Sequence, residues 1–244
     1  MGEIKLSKKE RIDKILANLG YGSRKDIKKN IKSGMVKINN EIIKDNSIKI
    51  DPYKENIKFN NKKINYRKFI YLMLNKPSGV ISATEDNHSK TVVDLIDDEY
   101  KAFNPFPVGR LDKDTEGLLI LTNDGDLAHK LLSPKKHVDK KYYVKVEGYL
   151  DESDKIAFKE GLDIGEKDIT LPAELDIKKS NEISECYVII REGKFHQIKR
   201  MFISLGKKVV YLKRVSMGNV ELDSNLKLGE YRELTNKEID ILNR

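Results

Sequence analysis

Residues 107–134 read P-V-G-R-L-D-K-D-T-E-G-L-L-I-L-T-N-D-G-D-L-A-H-K-L-L-S-P. The first half of this stretch packs glycines and charged residues between Gly109 and Gly117, and the apolar run 118–121 follows at once. Glycine and acidic residues favour a tight turn, and a short apolar run bounded by turn residues predicts a buried strand. The stretch therefore predicts a turn-to-strand junction that presents carboxylates on a backbone with little freedom to move.

Length and composition define the broad class of protein. A chain of 244 residues favours two domains of ordinary size. No stretch approaches the roughly 18 uninterrupted apolar residues needed to span a bilayer, and the N-terminus has no apolar core typical of a secretory signal. The single cysteine, Cys186, excludes internal disulfides and agrees with a reducing compartment. We therefore expect a cytoplasmic protein and a monomer.

The four histidines do not predict a metal site. They are dispersed along the chain without an H-x-x-x-H pair or a similar spacing, and one cysteine cannot form a multi-cysteine zinc site. The sequence also contains neither a phosphate-binding G-x-x-x-x-G-K-[ST] loop nor a dinucleotide-binding G-x-G-x-x-G fingerprint. We expect no metal and no cofactor.

The positive charge is concentrated in the N-terminal quarter of the chain. Residues 1–66 contain 17 Lys and Arg against 8 Asp and Glu, a net charge of +9, whereas residues 67–244 carry a net charge of −1. A biased amino-acid composition would not stop at one quarter of the chain. Clustered Lys and Arg are the electrostatic footprint of nucleic-acid binding, so the asymmetry predicts a polyanion-binding N-terminal module.

The pattern at the N-terminus is typical of two short helices followed by a hairpin. Apolar residues at helical spacing up to Gly20 predict the first helix, and Ser23 with Asp26 predicts a capped second helix ending near Ser33. The run after Gly34 alternates and turns at Asn39 and Asn40. One face of the second helix carries five cations, which we expect to contact phosphate groups: Arg24, Lys25, Lys28, Lys29 and Lys32.

This segment resembles the S4 RNA-binding domain. The resemblance lies in S-R-x-x-I-x-x-x-I-x-x-G-x-V-x-I-N and the following hairpin, and it implies that the second helix and the hairpin grip structured RNA. We assign residues 1–60 to this domain, residues 61–68 to a polar and basic linker, and residues 69–244 to a second domain. In the second domain strands and helices interleave without a regular βαβ period, which predicts an α+β fold with a mixed, mostly antiparallel sheet.

The acidic turn allows more than one chemistry. Asp112, Asp114 and Glu116 match the start of a calcium-binding loop, but the twelfth position would be Asn123 instead of a bidentate glutamate. A glycosidase needs a second carboxyl group at a suitable distance, for which Asp114 or Asp124 could serve. The sequence alone does not set that distance.

The whole stretch resembles the signature of pseudouridine synthases, G-R-L-D-x-D-T-x-G-L-L-x-L-T-N-D-G. Three further family motifs occur in the expected order: Y-x-M-L-N-K-P-x-G upstream, then K-x-Y-x-V at residues 140–144, and E-G-x-x-H-Q-x-K-R-M-F at residues 192–202. The resemblance covers nearly the entire chain. It implies an RNA-modifying isomerase that moves the C1′ attachment of a uridine from N1 to C5 without a cofactor.

The resemblance also implies roles for individual residues. It implies that Asp112 is the catalytic carboxylate, acting as nucleophile or as base, and that Lys199 is its basic partner. Tyr142 matches the family tyrosine that stacks on the target base, because the K-x-Y-x-V register selects it over Tyr143. We expect Arg110 and Arg200 to contact RNA, and we expect Asp114 and Thr115 to shape the turn.

Within the family, the segments K-R-M-F and D-I-T-L-P-A are most similar to the RsuA-type enzymes of 16S ribosomal RNA. The enzymes of the large subunit, which act on 23S ribosomal RNA, share the same four motifs. The partner predicted from the sequence is therefore ribosomal RNA or a pre-ribosomal particle. A non-catalytic S4-type protein associated with the ribosome is the alternative from a different class.

Overall fold

The structure, a computed structural model, describes residues 9–133 and 136–243. Residues 1–8 of the predicted RNA-binding domain, Pro134 at the end of the quoted stretch, Lys135 and Arg244 lie outside the described residues. The chain divides into two compact units. One comprises the chain up to Ile70 together with Asp97–Asn104, and the other comprises Tyr71–Ile96 and the chain from Pro105 onward.

The described part of the N-terminal unit contains three short helices and two small antiparallel sheets. Its elements are β1 (Glu10–Arg11), α1 (Ile12–Asn18), α2 (Arg24–Lys32), β2 (Val36–Ile38), β3 (Glu41–Ile42), β4 (Lys49–Ile50), β5 (Ile57–Phe59), β6 (Lys62–Lys63) and α3 (Asp98–Lys101). The strands pair in the orders β3-β2-β5-β6 and β1-β4. The helical spacing predicts Ile12, Ile15, Leu16 and Leu19 on the buried face of the first helix and Ile27 and Ile31 on that of the second. All of them are fully buried except Leu19, which is partly exposed.

Local signals in this unit act as the sequence predicts. Ser23 Oγ accepts a hydrogen bond from the backbone of Asp26, and the Asp26 carboxylate accepts one from the backbone of Ser23. Asn39 and Asn40 have positive φ angles of 49° and 73°, as the two central residues of a tight β2–β3 hairpin require. The predicted capping arrangement and hairpin are both present.

The segment predicted to be a linker is different in the structure. Lys62–Lys63 forms β6, which pairs with β5, and Ile64 is buried in the core of the N-terminal unit. The prediction rested on the polar composition of residues 60–68. An edge strand can carry polar and basic residues on its exposed face while a single apolar residue packs into the core. A strand of two residues is too short to show the alternation of polar and apolar residues that would predict it.

The second unit is built on a nine-stranded sheet. Its elements are β7 (Tyr71–Lys76), β8 (Phe106–Pro107), β9 (Glu116–Thr122), α4 (Gly125–Leu132), β10 (Lys140–Glu147), α5 (Glu152–Glu160), β11 (Glu174–Lys179), β12 (Ile183–Ile190), α6 (Gln197–Ser204), β13 (Lys208–Met217), β14 (Val220–Glu221), β15 (Tyr231–Glu233) and α7 (Asn236–Asn243). The principal strand order is β11-β12-β10-β13-β9-β7-β15.

The predicted α+β class with a mostly antiparallel sheet is confirmed. Among the pairings of this sheet only β9 with β13 is parallel in the described residues. The apolar residues after the turn at Pro77 and Gly79 also predict a second strand, but in the described residues Ile81 forms only an isolated bridge with Thr91. The apolar run there is too short to form a ladder.

Candidate active site

The acidic turn between β8 and β9 is held by a buried lysine. Lys76, at the end of β7, is fully buried, and its ammonium group donates to the carbonyl oxygens of Asp112 at 3.1 Å, Lys113 at 3.3 Å and Thr115 at 2.8 Å. The Lys113 carbonyl also accepts the backbone N–H of Gly79 at 2.8 Å. One cation therefore fixes the backbone of the turn from Asp112 to Thr115.

Burial lowers the pKa of Lys76 to about 8, although the acids of the turn oppose that shift. The sequence reasoning quoted Lys76 within the N-K-P motif but assigned it no role. A lysine at the end of an apolar strand, immediately before a proline, is the sequence pattern that could have predicted this buried cation.

Gly117 allows β9 to run close beside β13. A Cβ atom at this position would lie 2.2 Å from the carbonyl oxygen of Arg214, and the φ angle of Gly117 is +101°. A larger residue would therefore clash with the neighbouring backbone as well as strain its own. The close approach brings Arg214 beneath the turn that carries Asp112.

The structure brings Lys199 to Asp112, as the resemblance implied. The Lys199 ammonium group, on α6, lies 3.0 Å from Asp112 Oδ2 and 2.6 Å from Asp114 Oδ1. Partial burial disfavours the charged form of Lys199, but the hydrogen bonds to the two carboxylates outweigh burial and raise its pKa. Lys199 therefore remains an ammonium ion at neutral pH.

The second carboxylate of the turn does not match a glycosidase acid. Partial burial favours the neutral form of Asp114, yet the contact with Lys199 outweighs it and lowers the pKa. A glycosidase acid needs a raised pKa to donate a proton. Asp124, the other candidate, caps α4 by accepting the backbone N–H groups of Asp126 and Leu127 at 3.2 Å. Neither acid is therefore placed as a proton donor beside Asp112.

Tyr142 and Tyr143 lie on opposite faces of the sheet. Tyr142, on β10, is 7% exposed and lines a recess of about 80 Å³ together with Asp112 and Arg110. Apolar side chains of Ile190, Ile198 and Leu212 complete this recess. Tyr143 instead lines a separate cavity, and its hydroxyl donates to Glu185. The recess thus combines a carboxylate, an aromatic side chain and apolar walls.

His196 is a residue of the site that the sequence reasoning did not assign. Its Nε2 lies 3.6 Å from Asp112 Oδ1, and its ring stacks on Phe195 with a centroid distance of 3.8 Å. His196 adopts a left-handed backbone conformation with a φ of 48°, which is uncommon for a residue other than glycine and typical of functional sites. Its place in the H-Q-I-K-R motif, three residues before Lys199, could have predicted that His196 lies near Asp112.

The predicted RNA-contacting residues fall into three places. Arg110 is exposed at the cleft, where it lines both the recess and a larger adjoining cavity of about 690 Å³. Arg200 lies on α6, but its guanidinium group donates to Glu166 at 2.7 Å and to the carbonyl oxygens of Phe195 and Ile164. The internal contacts of Arg200 support the loop before β11 instead of an open RNA surface.

The five cations of α2 are not in the cleft. They belong to the N-terminal unit, and all of them are exposed on one side of the helix, opposite the buried Ile27 and Ile31: Arg24, Lys25, Lys28, Lys29 and Lys32. Each of the two units therefore has basic residues of its own, on α2 in one unit and around the cleft in the other.

In the part of the chain that the structure describes, no group of three or more His, Cys, Asp or Glu side chains is arranged to hold a metal ion. Within the same residues no helix is long and apolar enough to cross a membrane.

Comparisons with known proteins identify the family of this chain. The family model described as RNA pseudouridylate synthase matches residues 70–204, and the S4 domain model matches residues 10–53. The chain is 50% identical to the uncharacterized RNA pseudouridine synthase YtzG of Bacillus subtilis, over 96% of this chain and 98% of the relative. It is 40% identical to the ribosomal small subunit pseudouridine synthase A of Haemophilus influenzae, over 95% and 99% of the two chains.

Among solved structures, a crystal structure of a pseudouridylate synthase superposes with a TM-score of 0.67 at 39% sequence identity. The match covers 95% of this chain and 99% of that one. The predicted resemblance is thereby confirmed, and the chain belongs to the RNA pseudouridine synthase family and carries an N-terminal S4 domain.

Proposed function

We propose that this pseudouridine synthase converts a uridine of 16S ribosomal RNA to pseudouridine, with Asp112 as the catalytic residue. The observation that carries the proposal is the position of the Asp112 carboxylate, which lies between Lys199 and the recess lined by Tyr142. Several relatives named ribosomal small subunit pseudouridine synthase A, 36–40% identical over nearly the whole chain, support the choice of the small subunit.

The reaction breaks the C1′–N1 bond of the uridine, turns the base and forms a C1′–C5 bond, after which C5 loses its proton and N1 gains one. No atoms are gained or lost overall, so the chemistry needs no oxidant or group donor. Asp112 either attacks C1′ or removes a proton to begin the cleavage, and both roles require a carboxylate within reach of the sugar. Lys199 holds that carboxylate by an ion pair of 3.0 Å.

Tyr142 provides the surface for the base. A uridine inside a duplex or a stacked loop cannot reach Asp112, so the nucleotide has to turn out of its stack at a cost of a few kcal/mol. Stacking on an aromatic ring offsets part of that cost. The apolar residues Ile190, Ile198 and Leu212 line the same recess and give it apolar surface beside the base.

The S4 domain supplies affinity for structured RNA in this proposal. The exposed cations of α2 contact phosphate groups, which positions the RNA without reading its sequence. We propose Arg110 as a further RNA contact at the cleft because its side chain is exposed there beside Asp112. Arg200 is left out of the proposed interface, since its guanidinium group is occupied within the protein.

The test is a pseudouridine map of ribosomal RNA from a strain that lacks this gene, complemented with the wild-type enzyme or with Asp112→Asn. We expect one 16S uridine to be modified only with the wild-type enzyme, while the variant still binds the RNA. A modified uridine in 23S ribosomal RNA would show that the substrate is large-subunit and not small-subunit ribosomal RNA. A map without any change would exclude the enzymatic proposal in favour of a non-catalytic RNA-binding protein.

A further inference from the structure

Two buried cations lie under the cleft without a carboxylate partner. Lys140 is 8% exposed and Arg214 is 2% exposed, and both line the cavity of about 690 Å³ next to the Asp112 recess. Among the described residues neither side chain forms an ion pair. Lys140 Nζ donates to the Val138 carbonyl oxygen, and Arg214 Nε donates to the Leu118 carbonyl oxygen.

Arg214 also has an unused donor. Its Nη2 atom is buried and has no hydrogen-bond partner in the described part of the chain. A buried donor without a partner costs free energy, and a buried charge is normally paired or bound to an ion. The arrangement is therefore incomplete in the protein alone.

The two cations are neighbours on one face of the sheet. Tyr142 on β10 is the direct partner of Arg214 on β13, and Lys140 precedes Tyr142 by two residues on the same strand. Because side chains alternate along a strand, all three side chains project from the same face. Burial lowers the pKa of Lys140, and the nearby charge of Arg214 lowers it further. Their mutual repulsion would be relieved by an anion.

The acids around the cavity are engaged elsewhere. Asp112 pairs with Lys199, and Glu192 accepts hydrogen bonds at 2.8 Å from the backbone of Leu171 and from the Gln197 amide. Asp139, next in sequence to Lys140, pairs with Arg191 at 2.8 Å. None of these carboxylates makes a direct contact with the buried cations.

The position of the cations indicates which part of an RNA would reach them. They line the larger cavity, which shares Asp112 and Tyr142 with the small recess, but they do not line the recess itself. Two buried cations without a carboxylate partner favour an anionic group, and a uracil base is neutral at neutral pH, so the group that they would bind is not the base. The anionic group of an RNA strand is its phosphodiester.

We propose that Lys140 and Arg214 form a phosphate subsite that binds one phosphodiester group of the RNA strand beside the target uridine. This inference rests on the proposed function, since it requires an RNA strand in the cleft. The planar guanidinium group of Arg214 has a free donor for a phosphate oxygen, and Lys140 adds a second positive charge. Binding of the phosphate would offset the cost of burying both charges.

The first test compares charge-removing variants on the two faces of the same strands. Arg214→Met and Lys140→Met remove the subsite, while Lys213→Met and Lys141→Met remove one charge each from adjacent residues that line the cavity on the other face. Affinity for a 16S ribosomal RNA transcript is measured against salt concentration in the Asp112→Asn background, where no uridine is expected to be converted. Each lost phosphate contact makes the slope of log K against log salt shallower by about 0.7.

We expect the shallower slope in Arg214→Met and Lys140→Met, and a wild-type slope in both controls. An unchanged slope in both subsite variants would overturn the proposal, as would an equal change in the controls. If Arg214→Met does not fold, Lys140→Met carries this comparison. A lower kcat with unchanged affinity and slope would also contradict a phosphate contact and would indicate a role at the base instead.

The second test locates the phosphate directly. Phosphate groups of the 16S transcript are ethylated at random, and the RNAs that still bind are compared for the wild-type enzyme and Lys140→Met. We expect ethylation of a phosphate next to the converted uridine to block binding to the wild type and to have less effect on the variant. The proposal is wrong if no phosphate near that uridine interferes with binding to the wild type.

Free phosphate is the other source of the same anion. Melting of the wild-type protein in inorganic phosphate and in chloride at equal ionic strength distinguishes the two sources. We expect phosphate not to raise the melting temperature more than chloride does, because the subsite requires the rest of the RNA strand. If phosphate raises the melting temperature of the wild type but not of Lys140→Met, the site binds free phosphate and the proposed RNA phosphodiester is wrong. If the wild-type enzyme converts no uridine, but ethylation of one phosphate blocks its RNA binding and affects Lys140→Met less, only the proposed function is refuted.

Discussion

Lys199 lies between Asp112 and Asp114, and the two contacts differ in their surroundings. The Asp114 side chain is 70% exposed, whereas that of Asp112 is 26% exposed. An exposed ion pair contributes roughly 0–1 kcal/mol, while a cation beside the reacting carboxylate acts where charge changes during the reaction. The contact with Asp112 should therefore be the one that matters for catalysis.

We expect Lys199→Met to lower kcat by about 10²–10³-fold, comparable to the loss of one electrostatic group in other active sites. Asp114→Asn should lower it less than about fivefold, since it removes only the exposed contact. Single-turnover conversion of saturating RNA measures both. Equal losses in the two variants would mean that the turn, rather than the Lys199–Asp112 pair, limits the reaction.

Lys76 provides a prediction about stability at the scale of one residue. Lys76→Met would leave the carbonyl oxygens of Asp112, Lys113 and Thr115 without their buried donor. The carbonyl oxygens of Asp112 and Lys113 still accept the backbone N–H groups of Thr115 and Gly79, whereas the Thr115 oxygen loses the Lys76 donor. An unsatisfied buried group costs roughly 1–3 kcal/mol, so we expect the free energy of unfolding to fall by about that amount. Urea denaturation measures the loss, and Lys113→Met, at an exposed position, should change stability by less than about 0.5 kcal/mol. Similar values for the two variants would contradict the role of Lys76.

At the scale of elements, the start of α7 has a contact that depends on pH. Glu238 accepts hydrogen bonds from the Thr235 backbone at 2.7 Å and from both ends of the Arg232 guanidinium group at 2.8 Å and 2.9 Å. The hydrogen bonds from Arg232, with those from Thr235, lower the pKa of Glu238 to about 2. The folded state therefore favours the carboxylate more than the unfolded state does.

An acid whose pKa is lower in the folded state than in the unfolded state stabilises the protein at pH values above its unfolded-state pKa. This stabilisation is lost as the pH falls through the folded-state pKa. We expect the contribution of Glu238, about 2 kcal/mol, to be complete above pH of about 5 and to disappear between there and pH of about 2. Urea denaturation across this range should show a smaller acid dependence in Glu238→Gln than in the wild type. Asp240→Asn, on the exposed side of the same helix, should keep the wild-type acid dependence; an identical curve for Glu238→Gln would exclude the prediction.

The elements that sequence predicts best are those with local chemistry at their ends. Ser23 with Asp26 and Thr235 with Glu238 are capping pairs three residues apart, and both form as the sequence indicates. The missing strand after Gly79 and the extra strand β6 depend on which other segments lie beside them. Pairing between distant segments is not encoded in a short window of residue types.

The same distinction applies to the candidate site. Asp112, Tyr142 and Lys199 are identifiable because they belong to motifs whose spacing resembles a family. Lys76, Lys140 and Arg214 are also within or near those segments, but their importance comes from burial beneath the cleft, which requires strands from distant parts of the chain to pack together. Residue type alone does not distinguish a lysine that is buried beneath the cleft from one that is exposed on the surface.

At the scale of the whole molecule, the charge asymmetry coincides with the division into units. The unit that contains α2 also includes Asp97–Asn104, and Gly20 lies against Ala102 so closely that a Cβ atom would be 2.1 Å from its side chain. The Arg67 guanidinium group lies 5.6 Å from the ring centroids of Tyr100 and Phe103. Truncation of the first 60 residues would therefore expose packed surface as well as remove charge, so substitutions are the better test of the basic helix.

The variant Lys25→Gln/Lys28→Gln/Lys29→Gln removes three exposed charges from α2 and leaves Ile27 and Ile31 buried. If these cations contact phosphates, the slope of log K against log salt should become shallower by about 2, because each contact contributes roughly 0.7 to 0.9. The kcat at saturating RNA should be unchanged, since the cleft is not altered. The matched control, Lys159→Gln/Lys167→Gln/Lys208→Gln, removes the same charge from exposed positions of the other unit. A similar slope in the two triple variants would show that net charge alone, and not the α2 surface, determines the salt dependence of RNA binding.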